Sequence, residues 1–125
     1  MRTLRIDHVV VATPDDQAAA ATFQSHFGLP AAPELAGSPT LQIGGARIAF
    51  VTPAPGTTLA AALASGGEGL AMVCLEVASL SEAAASLGVA GVAFTMDSAG
   101  GGRAIAIDPA AAHGVRLTLV EGRRP

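Results

Sequence analysis

Along the chain, short apolar runs rich in β-branched residues alternate with alanine-rich segments bracketed by capping and stop residues. Ile6-Asp7-His8-Val9-Val10-Val11 reads as a buried strand carrying one polar ring, because three consecutive valines suit a pleated surface. Thr13 stands as N-cap, Pro14 at the first helical position, and Asp15 and Asp16 at the positive end of the dipole, which predicts a helix over 15–27. Gly28 supplies its stop, with Pro30 just beyond. Residues 30–39 hold three prolines and one glycine and read as loop, with a short strand near Glu34 and Leu35. Residues 40–43 alternate as a strand, Gly44-Gly45 is a two-residue hairpin signal, and 47–52 is the return strand. A connector follows, with one short helix over 58–64.

The pattern then restarts. Residues 70–77 form a second apolar strand, and Ser79-Leu80-Ser81-Glu82 has the spacing of a capping box. A helix over 83–87 stops at Gly88. Strands follow at 91–96 and 103–108, separated by the 98–102 loop, and a last one at 115–121. His8-Val9-Val10-Val11 aligns with Met72-Val73-Cys74-Leu75, Phe27-Gly28-Leu29 with Leu87-Gly88-Val89, and Ile48-Ala49-Phe50-Val51 with Leu117-Thr118-Leu119-Val120. The second helix reads as about one turn shorter than the first. The simplest account is an α+β fold, one domain over 1–125. Two tandem β-α-β-β-β modules (about 4–53 and 69–122, connector 54–68) form a curved mixed sheet around a cleft. Each module buries one sheet face under its helix and offers the other to its mate.

Composition narrows the chemistry. Half of the 125 residues are hydrophobic and 14% are charged, as in folded globular proteins. With no Trp or Tyr and four Phe, little aromatic surface is available for stacking on a flat ligand. A net charge of −3 gives no footprint for nucleic acid, and Arg123 and Arg124 read as a solvated tail. Cys74 is the one cysteine, so neither an internal disulfide nor a thiolate cluster can form. No apolar run approaches membrane-spanning length and no apolar export signal follows Arg2 and Arg5, so a cytoplasmic protein without membrane contact is expected.

The repeat, with Ile6-Asp7-His8-Val9, Phe27-Gly28-Leu29, Glu68-Gly69-Leu70, Gly101-Gly102-Arg103, Asp108-Pro109, His113-Gly114-Val115 and Leu119-Val120-Glu121, resembles the vicinal oxygen chelate superfamily. That group holds glyoxalases, extradiol dioxygenases and bleomycin-resistance proteins, and the chain looks most like its methylmalonyl-CoA epimerase branch. The resemblance implies a cleft whose floor binds a divalent metal through four side chains, from the first and last strands of each module. Carried over, those positions are His8, Ala49, Met72 and Thr118. Only His8 matches; a methyl, a soft thioether and a weakly binding hydroxyl replace the other ligands, where a catalytic ion usually needs three good donors. No metal and no other cofactor is therefore expected. The carboxylate bases of the epimerase branch have no counterpart either, since Thr118 replaces one and 36–43 contain no acid.

His8 is then the candidate acid–base residue, because imidazole titrates near neutrality and a polar ring amid Ile6, Val10 and Met72 needs a partner. Met72, Thr118 and Ala49 become candidate substrate-binding positions, joined by Arg103 as a possible partner for an anionic ligand. Thr118 is also simply a good strand former, and Met72 a good apolar lining. Cys74 shares Met72's face but reads as inert core. His26 reads as a helix-end residue and His113 as a turn residue, neither on the cleft floor. The Gly100-Gly101-Gly102 run precedes a strand, whereas anion-binding glycine loops lead into helices. Three readings follow. One is a metal-independent isomerase or lyase acting on a small carbonyl or acyl-CoA-like metabolite. Another is a non-catalytic, metal-free sequestration protein of the bleomycin-resistance type. The third keeps a divalent metal held by His8 with water and substrate oxygens. A homodimer is expected by resemblance.

Overall fold

The computed structural model describes residues 1–97 and 103–121; the glycine run at 100–102 and the tail arginines Arg123 and Arg124 lie outside the described residues. The described elements are, in order, β1 (Thr3–Ala12), α1 (Asp16–Phe27), β2 (Ala31–Leu35), β3 (Ser38–Ile43), β4 (Ala46–Val51), α2 (Thr58–Gly66), β5 (Gly69–Val77), α3 (Leu80–Ala90), β6 (Phe94–Asp97), β7 (Ala104–Ile107) and β8 (Leu117–Glu121). The fold is α+β, and the β-α-β-β-β order occurs twice. No described helix is long and apolar enough to cross a membrane.

Two compact units divide the chain, one of His8–Ala71 and one of Met1–Asp7 with Met72–Pro125. In the first, strands lie in the order β2-β3-β4-β1. β1 runs parallel to β4, with His8 opposite Arg47 and Val10 opposite Ala49, while β3 is antiparallel to both β4 and β2. A parallel pair cannot be closed by a tight turn, so α1, β2 and β3 form the crossover. The second unit repeats the scheme as β5-β8-β7-β6: β5 is parallel to β8, and the remaining pairs are antiparallel. The first half of β1 belongs to this unit, where the Arg2 carbonyl accepts a hydrogen bond from the Ala78 amide at 3.0 Å.

One face of each sheet is covered by its helix. Under α1, Ala20, Leu41 and Phe50 are buried with Val11, Phe23, Leu29 and Ile48 packed around them, and the Phe23 and Phe50 rings meet edge to face at 5.0 Å. Leu80, Ala83 and Leu87 of α3 pack on Val77, Ile105, Ile107 and Leu119, flanked by Phe94. Strand alternation therefore turns the intervening residues to the helix-free faces.

The structure corrects several local expectations. Asp15, not Thr13, caps α1: its side chain accepts from the Ala18 amide. Thr13 is fully buried instead; its amide bonds the Val51 carbonyl at 3.0 Å and its hydroxyl donates to the Glu68 carboxylate. In the second unit Ser79 caps α3 by accepting from the Glu82 amide, as the capping-box spacing predicts. However, α3 runs through Gly88 to Ala90 and ends at Gly91, whose φ is 73°. The helices are consequently 12 and 11 residues long rather than one turn apart, and β6 starts at Phe94. β8 starts at Leu117 because a 3-10 turn over Pro109–Ala112 and left-handed backbone at His113 and Gly114 occupy the approach.

Candidate functional site

In the first unit the helix-free face carries His8 and Val10 from β1, Arg47 and Ala49 from β4, and Thr40 and Gln42 from β3. The registers align these residues in rows. Gln42, Arg47 and His8 lie side by side across three strands, and Thr40, Ala49 and Val10 form the next row. His8 is half-buried and Ala49 fully buried. Gln42 is fastened to its own hairpin, its Nε2 donating to the Gly44 and Ala46 carbonyls at 2.7 and 3.1 Å. The expected acid–base residue thus stands in one row with an arginine that sequence reasoning passed over, although period-2 alternation in 47–52 places Arg47 on Ala49's face.

In the second unit the corresponding face carries Met72, Cys74 and Glu76 from β5, Thr118 and Val120 from β8, and Ala104 and Ala106 from β7. Arg116, just before β8, continues that strand's alternation. Cys74, Thr118 and Ala106 share a row. Thr118 Oγ1 donates to Met72 Sδ at 3.2 Å, so two of the sequence-predicted positions touch each other. Glu76 lies two residues beyond Cys74 on the same face. Its side chain is 7% exposed, and Arg5, at 58%, covers it through Nε–Oε2 at 3.0 Å and Nη2–Oε1 at 3.3 Å. The hydrogen bond and charge of Glu76 hold the Arg5 guanidinium above its ordinary range.

Arg116 is the residue the sequence reading missed that matters most here. Among the described residues, its Nε is the one buried side-chain nitrogen or oxygen with no hydrogen-bond partner. Leaving such a donor dry costs about 1–3 kcal/mol, so native structures rarely keep one without a reason. The available signal was again alternation: Arg116 lies two residues before Thr118. Arg103, by contrast, is exposed one residue before β7, where continued alternation puts it on the α3 side with Ile105. The structure does not bring it to Met72 and Thr118.

His26 and His113 stay where the sequence puts them. His26 Nδ1 meets the Thr22 carbonyl at 2.9 Å within α1, and His113 closes the 3-10 turn. Cys74 is buried, and its sulfur lies within 4.8 Å of an Asp7 carboxylate oxygen, a neighbour that local sequence does not announce. A separate groove of about 350 Å³ in the first unit opens between α1 and β2–β3, with Gln17, Gln24 and Glu34 on its walls.

The profile of the Glyoxalase/Bleomycin resistance protein/Dioxygenase superfamily matches residues 5–119. The chain belongs to this superfamily. Among curated proteins, none matches it. Solved structures similar to this glyoxalase-superfamily chain include methylmalonyl-CoA epimerase from Mycobacterium tuberculosis, with TM-score 0.86, 24% identity, and coverage of 98% of this chain and 90% of that one. A Streptomyces coelicolor methylmalonyl-CoA epimerase variant in complex with 2-nitronate-propionyl-CoA gives TM-score 0.86 at 22% identity, covering 98% and 99%. A hypothetical protein from Bacillus halodurans gives 0.85 at 20%, covering 97% and 96%. At such identities the likeness is one of fold.

The superfamily's metal positions can be tested on donor chemistry. His8 offers an imidazole and Ala49 offers nothing. Thr118 and Met72 are engaged with each other through a hydroxyl and a thioether. That set does not suit a hard or borderline divalent ion, which takes imidazole and carboxylate. The Asp7–Cys74 pair has donor types a metal can use, at positions outside that set.

Proposed function

We propose that this chain binds a small carbonyl or acyl-thioester metabolite on the helix-free faces of its sheets and acts on it as a metal-independent isomerase or lyase. The observation that carries the reading is the Thr118–Met72 hydrogen bond. It turns two positions of the superfamily's metal set into a polar group and an apolar lining, which suits a ligand better than an ion. His8 is the acid–base residue of this proposal, removing or returning a proton beside the carbonyl, a step imidazole performs near neutral pH. Met72 and Thr118 are binding positions on the helix-free face of one unit and Ala49 on that of the other, with Arg103, one residue before β7, as a further one. The similarity in fold to epimerases, one of them in complex with a CoA thioester analogue, supports the acyl-thioester class.

One observation favours sequestration without turnover. Two carboxylates that could serve as a second base are occupied, Glu76 by Arg5 and Glu68 by Thr13. Calorimetry against acyl thioesters and 2-oxo compounds, paired with a turnover assay, separates the readings. The enzyme reading expects a binding compound to be converted and His8→Gln to abolish conversion while leaving the melting curve intact. Conversion undiminished in His8→Gln refutes it, and tight binding without conversion supports sequestration. The same reading takes the protein as a homodimer, checked by light scattering on the eluting species.

A further inference from the structure

We propose that Arg116 and Thr118 form a two-donor seat for a carboxylate group on the ligand, a substrate class that rests on the functional reading above and narrows it. Arg116 precedes β8, and Thr118 is two residues further along on the same helix-free face. Residues so placed in a strand are about 7 Å apart at their Cα atoms, within reach of one small ligand. Each offers a proton that is poorly used. The Arg116 Nε–H is shut off from water and has no acceptor among the described residues. The Thr118 hydroxyl spends its proton on a thioether sulfur, a weak acceptor it can exchange for a better one at little cost.

Among the described side chains, the surroundings supply no competing acceptor of strength. Ala106, beside Thr118 on β7, and Ala104 are methyl groups. Cys74, beside Thr118 on β5, is a thiol. Of the carboxylates near this face whose side chains are described, Glu76 is covered by Arg5 and Asp7 is engaged beside Cys74. A face with donors in surplus and a fixed positive charge selects an anion. The apolar walls of Met72, Ala104 and Ala106 favour an aliphatic acid over inorganic phosphate, whose additional charged oxygens would stay without donors. The ligand is therefore an acyl compound carrying its own carboxylate, as a free acid or as the distal carboxylate of a thioester.

The test is NMR of the arginine Nε–H groups during titration with malonate. Propionamide serves as the neutral control, phosphate as the inorganic anion, and an uncharged N-acetylcysteamine thioester is titrated in parallel. Malonate is expected to shift and saturate the Arg116 resonance, which Arg116→Gln identifies by its loss. Followed on backbone amides of β8, malonate binding is expected to weaken about 10- to 100-fold in Arg116→Gln, and less in Thr118→Val. Arg116→Lys, which keeps charge without the planar fork, is expected to recover only part of it. Malonate binding equal in wild type and Arg116→Gln overturns the seat, as does propionamide binding as well as malonate. A preference for phosphate overturns the carboxylate assignment. If the neutral thioester binds and malonate does not, the seat falls and the functional reading stands; if neither binds, both fall.

Discussion

The end of α3 offers two glycines, and the structure assigns them opposite roles. Gly88 sits inside the helix, is exposed, and a Cβ built on it meets nothing within 4 Å. Gly88→Ala therefore adds a methyl group without a clash, gains helix propensity and narrows the unfolded ensemble. An increase in stability of about 0.5–1 kcal/mol is expected. Gly91 has φ 73° and ψ 23°, and its amide bonds back to the Gly88 and Leu87 carbonyls. The next amide, Val92, also bonds to the Leu87 carbonyl at 2.9 Å, which makes this a Schellman-type ending. An alanine there must adopt the left-handed region, which costs about 1–2 kcal/mol before the gain in the unfolded state is counted. The two variants should thus differ by about 2 kcal/mol with opposite signs. Urea denaturation followed by circular dichroism resolves that gap, provided both transitions keep the wild-type slope. If Gly88→Ala destabilises and Gly91→Ala does not, the helix ends at Leu87 and the described cap is wrong.

Thr13→Val keeps shape but removes the donor to Glu68 and the acceptor for the Asp15 amide at 3.2 Å. A loss of about 2 kcal/mol is expected, with a coupling above about 0.5 kcal/mol to Glu68→Gln in a double-mutant cycle. Phe50→Ala, at a fully buried ring, should cost about 3–5 kcal/mol in the same denaturation assay. For Arg5 the folded-state value is raised, so its contribution is fully present below the ordinary arginine range and is lost only as pH rises through the folded value. The melting-temperature gap between wild type and Arg5→Leu should therefore be the same at about pH 7 and about pH 10; a gap that closes over that window contradicts the pairing with Glu76.

The architecture was legible because both halves announce themselves locally: an apolar strand, a capping residue, an alanine-rich stretch and a glycine stop. What failed were choices between adjacent residues of similar aptitude. Thr13 and Asp15 are both good caps, and the decision came from Glu68, a partner 55 positions away. Gly88 and Gly91 are both plausible stops, and the helix uses the second, where the Gly91 and Val92 amides close back on the Gly88 and Leu87 carbonyls. The candidate face follows the same rule. Alternation alone puts Met72 with Cys74 and Glu76, and Thr118 with Arg116. Yet which of those polar groups finds a partner depends on β1, whose Arg5 reaches Glu76 while no described residue reaches the Arg116 Nε.

The division of β1 between two compact units also bears on synthesis. Its first five residues, Thr3 to Asp7, take their place with Met72 and beyond, and Arg5 meets Glu76 across 71 positions of sequence. A chain emerging from the ribosome can complete the His8–Ala71 unit while the segment that leads it still waits for β5. That segment, which carries the apolar residues Leu4 and Ile6, stays open to other chains for that interval. Circular permutants that move residues 1–7 to the far terminus would shorten that wait at the cost of cutting β1 in two.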